Sequence, residues 1–181
     1  MLVQKENYNK KVSPFQYDYL NDIVIPVDVK ISVAIMDILS IQEIEQKYIA
    51  KFRLLMEWYD YRYDAGRVTF SLIDPLSRLQ YYNLKPERSN NLLSKNEIDN
   101  LWIPFVVFSN TKDSEFTKGD DDSEITITRE GNFTESSDDF VEEINIFAGG
   151  ENKITFQQVY SKAFLCQYEL QLYPFDTQVG S

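Results

Sequence analysis

From Val27 onward the chain alternates: Val27, Val29, Ile31, Val33 and Ile35 are separated by Asp28, Lys30, Ser32 and Ala34. Side chains on a strand point to opposite faces in turn, so this period of two predicts a strand with one buried face. A polar turn over residues 42–46 follows, and then a second alternation puts Tyr48, Ala50, Phe52, Leu54, Met56 and Trp58 on one face. Together these segments predict a long hairpin. Gly66 marks another turn, residues 68–72 read as a strand, and a polar stretch with prolines runs over 74–100. The continuous apolar run over 101–108 predicts a strand buried on both faces. Residues 125–128 predict a short strand, residues 154–165 a longer one, and Cys166, Tyr168, Leu170 and Leu172 alternate up to Pro174. Near the start, Ser13-Pro14 has the form of an N-cap followed by proline at the first helical position, predicting a short helix over 13–20. No internal repeat or heptad pattern is present. The expected architecture is all-β: an antiparallel β-sandwich with a short N-terminal helix, its strands spread over 27–178.

Composition supports this class. The 181 residues suit one domain, and the 14% aromatic content, with twelve Tyr and twelve Phe, favours strands. The net charge of −11 excludes the basic face that a nucleic-acid partner requires. Between Asp113 and Glu143 twelve acids face two bases, Lys118 and Arg129, within a loop-rich acidic segment over 111–150. This reads as a solvated loop or, at Asp120, Asp121 and Asp122, as a surface for a cation. An EF-hand is excluded, because Ile125 stands where such a loop needs its turn glycine.

No apolar run approaches the roughly 18 residues that a membrane span needs, and residues 1–11 are too polar for a signal sequence, so the fragment by itself is expected to be soluble. Asn132-Phe133-Thr134 is an N-glycosylation sequon. Cys166 is the sole cysteine. There is no histidine, no nucleophile elbow and no phosphate-cradling glycine loop, so the chain reads as a non-enzyme with no cofactor.

Four segments, in order, carry the functional reading. Ile41-Gln42-Glu43-Ile44-Glu45-Gln46 is a turn. Trp58-Tyr59-Asp60-Tyr61-Arg62-Tyr63 ends the second long strand, where a Trp with Asp and Arg two apart anchors a strand end by packing and charge-assisted hydrogen bonds. Leu101-Trp102-Ile103-Pro104 is the third. The fourth runs from Cys166 through Tyr173-Pro174-Phe175-Asp176, and its Pro-containing tip is stiff. This set resembles the extracellular ligand-binding domain of Cys-loop pentameric ligand-gated ion channels, whose fold is an immunoglobulin-like antiparallel β-sandwich. The structural signature comprises Trp58, Asp60, Arg62, Trp102, Pro104 and Cys166. Tyr63 replaces the family's usual Leu, and Phe105 stands where the family has Asp.

The resemblance implies a signalling role on the extracellular side of the plasma membrane: an agonist binds between subunits, and the domain drives pore opening. The partners implied are a small-molecule agonist, amine or amino acid, and other subunits of a homo- or hetero-pentamer. The membrane is met only through a pore domain that this chain lacks. Glu43 and Glu45 in the turn and Tyr173, Pro174, Phe175 and Asp176 at the loop tip take the positions that press on the pore. Gly180 stands where the loop's second cysteine belongs, so the chain is expected to stop inside that loop, a partial domain over 1–181 without its last strands. Arg53 falls at an agonist-facing strand position, where its guanidinium suits a carboxylate. Phe108 and Ser109 fall at a second agonist-facing loop. Two alternatives remain: a soluble pentameric binding protein of the same fold, and a generic secreted β-sandwich module.

Overall fold

The computed structural model describes residues 2–4, 8–18, 21–62, 79–111, 123–135 and 145–166. Its strands are β1 (Leu2–Gln4), β2 (Phe15–Asp18), β3 (Ile23–Pro26), β4 (Lys30–Gln42), β5 (Lys47–Trp58), β6 (Leu79–Tyr82), β7 (Glu124–Thr128), β8 (Phe133–Glu135), β9 (Asn145–Ala148) and β10 (Lys153–Leu165). One turn of helix, α1 (Lys95–Ile98), interrupts them. Two four-stranded sheets, in the orders β1-β6-β9-β8 and β4-β5-β10-β7, and the hairpin β2-β3 make an all-β antiparallel sandwich.

The period-two pattern is realised most fully in β5. Ala50, Phe52, Leu54, Met56 and Trp58 are buried, whereas Lys51 and Arg53 between them are exposed. Strand β4 forms as expected, but its predicted buried face does not: Ile31 is 50%, Val33 56% and Ile35 71% exposed. The cause is its place in the sheet. It lies at the end of the order β4-β5-β10-β7, and apolar side chains on both of its faces reach solvent, Met36 and Ile38 included.

Two further expectations are corrected. Residues 15–18 of the predicted helix are strand β2, paired antiparallel with β3 in the register Phe15↔Pro26 to Asp18↔Ile23. Proline's fixed φ suits an extended start as well as a helical one, and the β-branched run Ile23-Val24-Ile25 opposite decides for the strand. Asp22, with φ 54°, supplies the left-handed turn residue that the hairpin needs. Residues 101–108 form no regular ladder: only Leu101 and Pro104 are buried, and Phe105 is 66% exposed. Pro104 has no N–H to donate, which breaks a central strand. Residues 68–72 and the alternating positions Tyr168, Leu170 and Leu172 lie outside the described residues.

The chain divides into two compact units. The first comprises Met1–Ile31, Met56–Pro104 and Glu124–Phe156. Its interior takes Leu79, Tyr81 and Phe147 from one sheet, and Met56, Trp58, Ile125, Ile127, Ile154 and Phe156 from the other. Two layers thus share one core, and each such side chain contributes about 1.5–3 kcal/mol through burial. Asn91 fastens a loop over this core. Its amide accepts from Lys85 N at 2.8 Å and donates to the carbonyls of Lys85 at 2.9 Å and Ile127 at 3.0 Å.

The second unit comprises Ser32–Leu55, Phe105–Ser123 and Gln157–Ser181. Its described interior is a ring cluster around Phe52, which meets Phe108 edge-on at 5.2 Å, Tyr160 at 5.7 Å and Phe164 at 5.8 Å. Tyr48 stacks on Phe164 at 5.5 Å. Such pairs contribute about 0.5–1.5 kcal/mol each beyond their area.

Candidate functional site

The turn between β4 and β5 is built by polar residues around one left-handed position. Gln46 has φ 49°, and its N–H donates to Glu43 O at 3.1 Å. Glu43 is exposed, and Glu45 pairs with Lys47 across the start of β5. At the tip, Ile44 is fully exposed, at 100%. Cys166 N–H donates to Gln46 O at 2.9 Å, so the residue that opens the last segment is fastened to this turn. Cys166 itself is a buried free thiol. Tyr173, Pro174, Phe175 and Asp176 lie outside the described residues, as do Asp120, Asp121 and Asp122.

Arg53 stands on the outward face of β5 by simple alternation, between buried Phe52 and Leu54. Phe108 packs its ring into the Phe52 cluster, also meeting Tyr160 at 6.0 Å and Phe164 at 6.1 Å. Ser109 is exposed in the turn closed by Thr111, whose Oγ1 donates to Phe108 O at 2.9 Å. Among the described residues, neither Phe108 nor Ser109 pairs with Arg53.

The strand-end signature is a buried polar knot. Arg62 Nε donates to Asp60 Oδ1 and its Nη2 to Oδ2, both at 2.8 Å. The pair is closed to water, with side-chain exposures of 5% and 0%. Arg62 Nη1 donates to Asn9 O at 2.6 Å, and Nη2 also reaches Tyr8 Oη at 2.8 Å. Tyr8 Oη donates to Asp60 Oδ2 at 3.1 Å and accepts from Trp102 N at 3.0 Å. The guanidinium carbon lies 4.0 Å from the Tyr8 ring centroid. Burial, and then the Asp60 charge, push the Tyr8 phenol well above its ordinary range, so it stays a neutral donor. Trp58 and Trp102 meet edge-on at 6.1 Å, and Pro104 is buried. All six signature residues are therefore buried or half-buried; five lie in the first unit and Cys166 in the second.

A groove of roughly 420 Å³ lies beside the knot, lined among others by Ile25, Pro26, Lys30, Glu57, Tyr59 and Lys153. Glu57 pairs with Lys30 at 3.5 Å and Lys153 at 3.4 Å, and Lys153 reaches Glu130 at 3.3 Å. Tyr59 Oη donates to Glu130 Oε2 at 2.6 Å, and that hydrogen bond, with burial, pushes its phenol up to about 12. Burial alone would lower Lys153, but the hydrogen bond to Glu130 and the charges of Glu130 and Glu57 outweigh it, and its pKa is raised.

Sequence reasoning missed Tyr8 and Ile44. Tyr8 stands in a polar segment without periodicity, and only the demand of a buried Asp–Arg pair for further partners could have pointed to it. Ile44 did carry a signal: one apolar residue in the otherwise polar turn over 42–46.

Within the all-β antiparallel fold, Asp60 and Arg62 lock one strand end beside Trp58, and the β4–β5 turn is bonded to Cys166. The family model of the neurotransmitter-gated ion-channel ligand binding domain matches residues 2–181, and the chain belongs to that family. No curated protein matches it. The family is one of ligand-binding domains rather than enzymes, and in such channels this domain is extracellular. Among the described residues no helix is long and apolar enough to cross a membrane.

Proposed function

We propose that this chain is the agonist-sensing region of a pentameric ligand-gated channel subunit, and that it passes ligand binding to a pore through the β4–β5 turn and the segment after Cys166. The observation that carries this reading is the 2.9 Å bond from Cys166 N–H to Gln46 O. It joins the two elements that the family uses for coupling, so a displacement of one moves the other. Ile44 at the tip presents a bare aliphatic side chain to whatever lies below, and an apolar contact there costs no desolvated charge. Glu43 beside it offers a carboxylate for pairing.

For the agonist, Arg53 favours an amino acid or another carboxylate over an amine. Its guanidinium is displayed on the outward face of β5, and a planar fork pairs bidentately with a carboxylate and repels a cation. The test is whole-receptor recording with an amine and an amino-acid panel, on the parent and on Arg53→Ala. Carboxylate-evoked current lost in the mutant, with surface expression intact, supports the reading. An unchanged dose-response removes Arg53 from the site, and carboxylate binding that evokes no current makes the domain a binding protein rather than a gate.

A further inference from the structure

We infer that Asn132 carries an N-linked glycan and that this glycan caps the edge that β8 leaves without a strand partner among the described residues. Asn132-Phe133-Thr134 is the only N-x-Ser/Thr sequon in the chain. The structure puts its asparagine at the exposed end of a four-residue connection between β7 and β8. The rest of that connection is held tightly. Glu130 N and Gly131 N both donate to Asn152 Oδ1, at 3.0 and 3.2 Å, and Asn152 Nδ2 donates to Ala148 O at 2.8 Å. Asn152 is completely buried. Arg129 is held over the Phe147 ring at 5.0 Å and the Phe133 ring at 5.8 Å. Gly131 is required by space: a Cβ there would lie 2.6 Å from Glu151 Cβ. The turn therefore presents Asn132 outward from a fixed base, the geometry in which a bulky polar attachment is accommodated without disturbing the core.

The position also suggests what the glycan does. β8 ends the order β1-β6-β9-β8, and its first residue, Phe133, is paired with Phe147 on one side and is 40% exposed. Among the described residues no strand pairs with its other side, and a strand edge of that kind with an exposed aromatic is a template for pairing with another chain. A three-residue strand extends only about 10 Å, so an oligosaccharide on the residue before it overhangs most of that edge.

This inference rests on the extracellular reading, but its test needs no agonist, so either can fail without the other. The chain is directed into a eukaryotic secretory pathway behind a secretion signal, and the secreted product is analysed by intact and peptide mass before and after peptide N-glycosidase. The expected result is a hexose-bearing Asn132 peptide that the enzyme converts to the aspartate form. It is absent in Asn132→Gln and Thr134→Ala and present in Thr134→Ser. Secreted chain with unmodified Asn132 overturns the site. For the capping role, sedimentation velocity compares glycosylated chain with Asn132→Gln. The variant is expected to shift toward larger species, and adding Phe133→Lys in the same background is expected to reverse the shift. Identical distributions for the glycosylated chain and Asn132→Gln overturn the capping role.

Discussion

Replacing Tyr8 by Phe removes one oxygen and keeps the ring, so it isolates the hydroxyl at the centre of the buried knot. That hydroxyl makes three bonds: it donates to Asp60 Oδ2 and accepts from Arg62 Nη2 and from Trp102 N. In Tyr8→Phe the ring remains under the guanidinium, and the direct Asp60–Arg62 fork survives. What is lost is two bonds to charged groups, about 1.5–3 kcal/mol each at full value, and a partner for a backbone N–H. Asp60 and Arg62 retain their other bonds, so the lower part of the range applies to each. The expected destabilisation is about 2–4 kcal/mol. With a urea m-value of about 2 kcal/mol/M, the middle of the range for small proteins, the midpoint should fall by about 1–2 M. Equilibrium urea unfolding followed by tryptophan fluorescence reads it directly, since Trp58 and Trp102 pack beside the knot. Asp60→Asn should be worse, because it leaves a buried guanidinium without its charge partner, at about 3–5 kcal/mol. A change below about 0.5 kcal/mol in Tyr8→Phe, the range of ordinary surface substitutions, would refute the claim that the hydroxyl is a buried hub.

Alkaline pH should weaken the fold above pH 10. Tyr59 is raised from 10.0 to about 12, chiefly by its bond to Glu130, and burial raises Tyr8 and Tyr81. Protons are held longer in the folded state, so this stability is complete below pH 10 and disappears as pH rises through the folded values. A phenolate absorbance titration should show at least these three titrating late, and all tyrosines ionising together near their ordinary value would contradict it. Gly131→Ala should cost about 1–3 kcal/mol through overpacking against Glu151, and a thermal melt unchanged from the parent would show that the turn yields. Ile44→Glu should leave stability within about 0.5 kcal/mol, since the side chain is fully exposed, while reducing agonist-evoked current in the full receptor at unchanged agonist binding. Normal gating would exclude the tip from coupling. Ile35→Lys, at a position 71% exposed, should keep the melting curve and reduce self-association in light scattering; a large loss of stability would mean that the β4 face is packed after all.

Where a pattern depends on one strand and its immediate neighbours, it could be read directly. β5 alternates in sequence and in burial because it has a strand on each side and a core beneath. β4 alternates just as clearly, yet its burial could not be read, because the period fixes which residues share a face and not whether anything covers that face. The N-terminal hairpin was misread for a related reason: Ser13-Pro14 is compatible with two backbones, and the choice rests on residues 23–26, which are remote enough in sequence to escape a helix-start rule. The signature residues were found because three of them, Trp58, Asp60 and Arg62, fall within five residues at the end of one strand. Tyr8 was not, since it reaches them across 52 residues of chain.

This difference separates what is fixed in the domain from what is available for signalling. The knot of Tyr8, Asp60 and Arg62 lies wholly in the first unit and is closed to water, so it holds one end of β5 in place. The other end of β5 begins at an exposed turn that a backbone bond ties to Cys166. A lever needs one end held by several strong bonds and the other by few. Charge-assisted bonds at the knot are each about twice the strength of a neutral one, such as the backbone bond that ties the turn to Cys166, and this contrast meets that requirement. On this basis movement begins at the turn: amide hydrogen exchange in the intact domain should protect the backbone of 56–62 far more than that of 43–47, and the contrast should shrink in Tyr8→Phe. Equal protection at the two ends in the parent would remove the mechanical argument while leaving the family assignment in place.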